Sequence, residues 1–161
     1  MTDLTANVTR PTKGNVQHLR YDLVGYTAYQ SGSTAYEVYK GAPMMLDVSD
    51  VDGYAQPAIG SITYANTDVF LGFAVEAVSV TSSDTSNGDK DVLCQTDGYI
   101  GIPLGSLAVT DIGAKIYASD TNTFSTSTSD GLWVGTLAAV DSSYAWLDIR
   151  LAVGQVSATT T

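Results

Sequence analysis

The stretch AWLDIRLAV at positions 145–153 alternates without a break. Ala145, Leu147, Ile149, Leu151 and Val153 share one side, and Trp146, Asp148 and Arg150 share the other. Side chains two apart lie on the same face of a β-strand, so the pattern suits a strand with one buried face and does not suit a helix. VFLGFAVEAV, at 69–78, carries the same signature, with Val69, Leu71, Phe73, Val75 and Ala77 on one face. YDLVGYTAY and TAYEVYKG are rich in the Tyr, Val and Thr that strands favour, and the QSGS between them reads as a hairpin turn. DVLCQTDGYIGIP predicts two short strands about residues 96–98, where Asp-Gly supplies the positive φ of a tight turn. No segment has helical periodicity, and at most one short helical turn is expected, in PLGSLAVTD. The expectation is an all-β fold, a compact β-barrel or β-sandwich of β-tulip-like form.

Two parts of the chain echo each other. GAPMML (41–46) is similar to GAKIYA (113–118), and VFLGFAVEA (69–77) to LWVGTLAAV (132–140), the latter pair with bulky residues just before a Gly. Strand, long polar excursion, strand thus occurs twice, which suggests two related half-units; two copies are too few for a solenoid. Gly72 and Gly135 lack a side chain and so allow a sheet to bend or another backbone to approach. The polar run between the second pair of strands reads as a surface loop. The 161 residues fit one domain that can bury a core without disulfide or metal. Residues 1–20, polar and aperiodic, are expected to form a partly extended N-terminal arm that orders against a partner. Residues 21–155 would then be the β domain and 156–161 a flexible tail.

Charge narrows the function. The formal net charge is −10, from seven Lys and Arg against seventeen Asp and Glu. The arm holds Arg10, Lys13 and Arg20 against Asp3 alone, which leaves four bases and sixteen acids for residues 21–161. Phosphates need a basic face, so nucleic acid is not an expected partner. The basic arm suits an acidic neighbour, a second copy of this chain included. No apolar run approaches the roughly 18–20 residues of a membrane span. The N-terminal MTDLTANVTRPTKG lacks the apolar core of a secretory signal, so the NVT acceptor pattern at 7–9 is discounted. Cys94, the one cysteine, excludes an internal disulfide and reads as a small buried apolar residue.

Residues with chemistry to offer are scarce. His18, the only histidine, lies in the arm, where a general base would have neither orienting partner nor pocket, and it reads as a solvent or interface residue. No G-x-S-x-G elbow and no phosphate-binding glycine loop occurs. Asp47, Asp50 and Asp52 ahead of Gly53, and Asp84, Asn87, Asp89 and Asp91 in a second loop, offer the oxygens that calcium takes. Neither ends in the bidentate Glu of an EF-hand, and loop carboxylates are most often only solvated, so no metal or cofactor is expected. Tyr26, Tyr29, Tyr36 and Tyr39 suit a contact patch and a half-buried sheet equally. The expectation is a contact protein without enzymatic activity, with Arg10, Lys13, His18, Arg20 and these four tyrosines as candidate interface residues.

IGAKIYASDTNTFST from Ile112 gives a Gly, a short apolar strand with a Tyr, and an Asp-containing loop of Thr and Ser. GLWVGTLAAV from Gly131 adds an apolar-Gly-apolar-Ala strand, AWLDIRL from Ala145 a last strand ending apolar-Arg-Leu, and CQTDGYIGIP an upstream strand, Gly turn and apolar-Pro segment. In these elements the chain resembles bacteriophage head decoration (capsid cement) proteins of the small β-barrel type, over residues 90–153 and more loosely over 41–80. The resemblance implies a commonly homotrimeric module that binds the outer surface of an icosahedral shell and stabilises it. Its partners would be the major capsid protein and its own copies, and its place the virion, after synthesis in the host cytoplasm. The main alternative is a fibre, spike or surface adhesion module that binds host glycans through the Tyr and Ser/Thr surface. A small hydrolase built on Asp50 and Asp52 is the other.

Overall fold

The computed structural model describes residues 3–29, 33–47, 53–60, 67–128 and 131–155. Its strands are β1 (Thr12–Lys13), β2 (His18–Asp22), β3 (Tyr36–Val38), β4 (Pro43–Leu46), β5 (Ala55–Pro57), β6 (Val69–Ala74) and β7 (Val78–Val80). They continue with β8 (Asp91–Gln95), β9 (Tyr99–Ile102), β10 (Lys115–Ala118), β11 (Phe124–Ser125), β12 (Leu132–Val140) and β13 (Ala145–Asp148). A six-stranded sheet has the order β1-β9-β13-β12-β10-β11, a five-stranded sheet the order β2-β8-β6-β4-β5, and β3 and β7 form a ribbon. All the strand pairs are antiparallel. The fold is all-β and sandwich-like, and a helical turn, Val109–Asp111, lies within PLGSLAVTD as the sequence predicts.

The echo in the sequence is a duplication in the fold. Numbered within each half, β2, β4, β5, β6, β8 and β9, β10, β11, β12, β13 take the same sheet order, first-fifth-fourth-second-third. The register repeats residue for residue. Pro43, Met44, Met45 and Leu46 face Phe73, Gly72, Phe70 and Val69, as Lys115, Ile116, Tyr117 and Ala118 face Thr136, Gly135, Trp133 and Leu132. Phe73 and Ala74 face Gln95 and Cys94, as Thr136 and Leu137 face Asp148 and Leu147. The flanking hydrogen bonds repeat too: Thr96 N–H donates to Gln17 C=O (2.8 Å) and Ile149 N–H to Gly98 C=O (3.3 Å). Each half carries a bulge at its glycine, where one residue of β6 or β12 is passed over in the pairing. Gly72 has φ +125°, and a Cβ on it would stand 2.2 Å from the Gln95 carbonyl oxygen; one on Gly135 would stand 2.8 Å from that of Asp148.

The two halves stack face to back. Met44, Leu71, Ala74, Val92 and Cys94 of the first half form a core with Val38 and Val80 of the ribbon. Their equivalents Ile116, Val134, Leu137, Ala145 and Leu147 pack instead on the opposite face of the five-stranded sheet, against Met45, Phe70 and Phe73. The same face of each half is therefore buried, once under the ribbon and once under its own duplicate. Complete burial of such side chains contributes roughly 1.5–3 kcal/mol each.

Several expectations change. Residues from 3 onward in the expected arm belong to the folded body, because β1 extends one sheet and β2 the other. The expected hairpin about QSGS does not form: β2 pairs with β8 and β3 with β7, and residues 30–32 lie outside the described residues. Strands flank residues 96–98, but β8 and β9 lie in different sheets, so this turn crosses the sandwich. The bulge at Gly72 breaks the period-two reading of 69–77 and sends Leu71 and Phe73 to different cores. AWLDIRLAV alternates as far as Ile149; a turn follows, leaving Leu151 71% exposed while Ala152 is buried. Residues 156–161 and the acidic stretch 48–52 lie outside the described residues.

Candidate interaction surface

The N-terminal segment is anchored by the polar run after β10. Thr121 Oγ1 accepts the Leu4 N–H (2.5 Å), and the Thr121 N–H donates to Asp3 (3.2 Å). Asp120 turns the run by accepting the N–H groups of Asn122 and Thr123 (2.7 and 2.6 Å). Asp120 and Thr121 are buried, so this part of the run is an internal socket rather than a surface loop. Buried polar groups require partners; here the start of the chain supplies them, and the run offers Asp, Thr and Asn for that purpose.

Arg10, expected at an interface, is 8% exposed and sits inside the sandwich. Its Nε donates to the Gly41 carbonyl (2.6 Å) and its Nη2 to the Thr121 carbonyl (3.2 Å), and the guanidinium lies over the rings of Phe73 and Phe124, 5.5 and 5.1 Å from their centres. Among the described residues no carboxylate lies within ion-pair distance of it. Burial pushes its pKa down to about 10. Desolvation disfavours the charged form, and carbonyls and ring faces offset only part of that cost. A pocket of about 270 Å³ beside it is also lined by His18 and Lys40.

The other basic residues of the segment stay outside. Lys13 Nζ lies 3.7 Å from the centre of the Trp146 ring. His18 stands exposed on β2. Arg20, also exposed, bridges Glu76 and Asp91, and both carboxylates raise its pKa, Asp91 most. The tyrosines divide differently. Tyr29 stacks on Tyr36 at 3.9 Å, and the Tyr36 hydroxyl donates to the Val24 carbonyl (2.6 Å). Burial raises both phenols well above their usual range. Tyr26 packs on the core under the ribbon, and Tyr39 is half-buried. Three of the four thus hold the small ribbon-side cores together.

The acidic loop at 84–91 closes on itself. Asp84 accepts the Thr81 N–H (2.9 Å) and pairs with Lys90 (3.7 Å), Asn87 accepts the Gly25 N–H (2.8 Å), and Asp89 accepts the Ser86 N–H (2.8 Å). Among the described residues no three His, Cys, Asp or Glu are placed to hold a metal. Cys94 is buried, and burial raises its thiol pKa.

Two open features stand out among the described residues. One is the outer edge of β2, with His18, Leu19, Arg20 and Asp22 exposed and Leu19 at 55%. Sequence reasoning missed it by ending the arm at Arg20 and starting the β domain at Tyr21, which splits the strand. The other is the outer face of the six-stranded sheet, where a shallow groove of about 350 Å³ is lined by Lys13, Gly14, Tyr99, Ala138, Ala139 and Trp146. Three cations cover aromatic rings on this side: Lys13 over Trp146, Lys115 over Trp133 and Arg150 over Tyr99. No family model, no curated protein and no solved structure matches this chain.

Proposed function

We propose that this chain is a structural virion protein that binds the outer surface of a phage capsid and stabilises it, without enzymatic activity. Its partners are the major capsid protein and its own copies, as a homotrimer. One observation carries the reading: the closer part of the resemblance to head decoration proteins falls on one half of the fold. CQTDGYIGIP, IGAKIYASDTNTFST, GLWVGTLAAV and AWLDIRL supply β9 to β13, one complete half of the duplication. The looser resemblance, over 41–80, takes in β4, β5 and β6, the counterparts of β10, β11 and β12 in the other half, so it follows the repeated unit. A shell presents the same surface many times, so a small oligomer gains avidity from several weak contacts without a deep site. The direct test is the copy number of this chain relative to the shell protein in purified particles, by quantitative mass spectrometry. Comparable numbers are expected, and absence from particles refutes the reading.

The groove beside Tyr99 and Trp146 favours a second reading, a fibre, spike or adhesion module that binds host glycans. Aromatic faces suit the apolar side of sugar rings, and tyrosine and tryptophan combine such a face with a polar tip. A few copies per particle together with a glycan-array signal lost on Trp146→Ala would support that reading over the first.

A further inference from the structure

We propose that the outer edge of β2 is a self-association edge, on which β2 of a second copy pairs antiparallel about Arg20. The direction of the backbone groups is the first argument. Gln17 C=O accepts from Thr96 N–H and Leu23 N–H donates to Lys90 C=O, so the odd-numbered positions turn toward β8. His18, Arg20 and Asp22 therefore direct N–H and C=O away from it. Among the described residues β2 pairs with β8 alone.

The duplication is the second argument, because it shows the same edge filled. β9 stands in its half where β2 stands in the other, with Tyr99, Ile100 and Gly101 at the places of His18, Leu19 and Arg20. There β1 is added as a sixth strand: Thr12 and Lys13 face Ile100 and Tyr99, and Gly101 N–H donates to Pro11 C=O (2.8 Å). Ile100 is 2% exposed, whereas its counterpart Leu19 is 55% exposed. An uncovered edge with an exposed apolar residue is a template for another strand.

The occupant follows from the strand's own sequence, which complements itself about Arg20. In that register Leu19 faces Tyr21 of the second copy and His18 faces its Asp22, an aliphatic–aromatic pair beside an imidazole–carboxylate pair. The two Arg20 side chains meet at the axis, each already held by Glu76 and Asp91. Such a contact is closed and two-fold. It joins two molecules, or two trimers, and is independent of the decoration reading because it is measured on the protein alone.

Two single-cysteine variants of the full chain test the register. At Arg20 the paired Cα atoms would be about 5.5 Å apart, within the span of roughly 4.4–6.8 Å that a disulfide bridges. The two Asp22 positions would be separated along the strands by about four residues, roughly 13 Å. Under mild oxidation Arg20→Cys is expected to give a covalent dimer and Asp22→Cys to stay mostly uncrosslinked, with buried Cys94 silent in both. In sedimentation the wild-type chain should associate with rising concentration, and Leu19→Lys, which leaves the core untouched, should weaken that association about tenfold or more. Equal crosslinking of both cysteines or of neither overturns the proposal, and so does an association that Leu19→Lys leaves unchanged.

Discussion

Gly72→Ala tests the claim that a glycine bulge sets the register of each half. Two costs add at this position. Gly72 has φ +125°, a conformation that residues with a side chain rarely adopt, and holding one in a sparsely populated region costs about 1–3 kcal/mol. The new methyl carbon would also stand 2.2 Å from the Gln95 carbonyl oxygen. That obstacle is the backbone of β8 and cannot swing aside, so relief requires the sheet to move, at about 1–3 kcal/mol for an overpacked site. The sum is about 2–6 kcal/mol, a large part of the 5–15 kcal/mol that usually holds a domain together. Gly113→Ala isolates the first cost, since Gly113 has φ +92° and an added methyl carbon there would meet nothing within 4 Å. Gly135→Ala, with its contact at 2.8 Å, should fall between them. Urea unfolding followed by the fluorescence of Trp133 and Trp146 measures all three. If Gly113→Ala costs as much as Gly72→Ala, or if Gly72→Ala stays within about 1 kcal/mol of wild type, the bulge does not set the register.

Arg10→Ala removes the donors from the Gly41 and Thr121 carbonyls and empties the space over the Phe73 and Phe124 rings; a loss of about 3–5 kcal/mol in urea unfolding is expected. Arg10→Lys should recover less than half of it, because an ammonium cannot span both carbonyls and lie flat on the rings. Asp141 is held down to about 2, from an ordinary 3.8, by the Trp146 indole N–H first and then by the Ser143 and Tyr144 N–H groups, with Lys13 adding to them. Because the folded pKa is the lower one, this stabilisation is present above about pH 4 and is lost as pH falls through about 2. Asp141→Asn should flatten the acid limb of the unfolding midpoint between pH 4 and 2, and an unchanged slope there would refute the assignment.

What the sequence reveals about this fold depends on distance along the chain. Alternation marks β13 and the start of β6, and the repeated glycine segments announce that β4 with β6 matches β10 with β12. The next match is hidden because the spacing between the halves shrinks along the chain, from Met44 and Ile116 through Phe73 and Thr136 to Gln95 and Asp148, so no constant offset places Asp91–Gln95 where Tyr144 to Asp148 stand in the other half. The pairing of β2 with β8 and of β3 with β7 leaves no local trace, because such edges are chosen by what else is already buried. Arg10, Asp120 and Thr121 misled for a related reason. A polar residue reads as solvated unless its distant hydrogen-bonding partners are known, and Thr121 meets Leu4 and Arg10 from more than a hundred residues away. His18 to Asp22 went unrecognised as one edge strand because His18 to Arg20 read as the end of a polar, aperiodic arm and Tyr21 and Asp22 as the start of a strand.

Face-to-back stacking of the two halves has a polarity that a two-fold sandwich lacks. A unit that buries its front against the back of an identical unit carries a rule for indefinite growth, since each addition exposes a fresh back. In this chain growth ends at one side because the ribbon of β3 and β7 occupies the front of the first half, where a third unit would otherwise sit. At the other side Lys13, Lys115 and Arg150 lie across the rings on the back of the second half, the face by which the first half grips its duplicate. Within the chain the stacking thus stops at two units, with a stopper at its head and a charged lid on its tail.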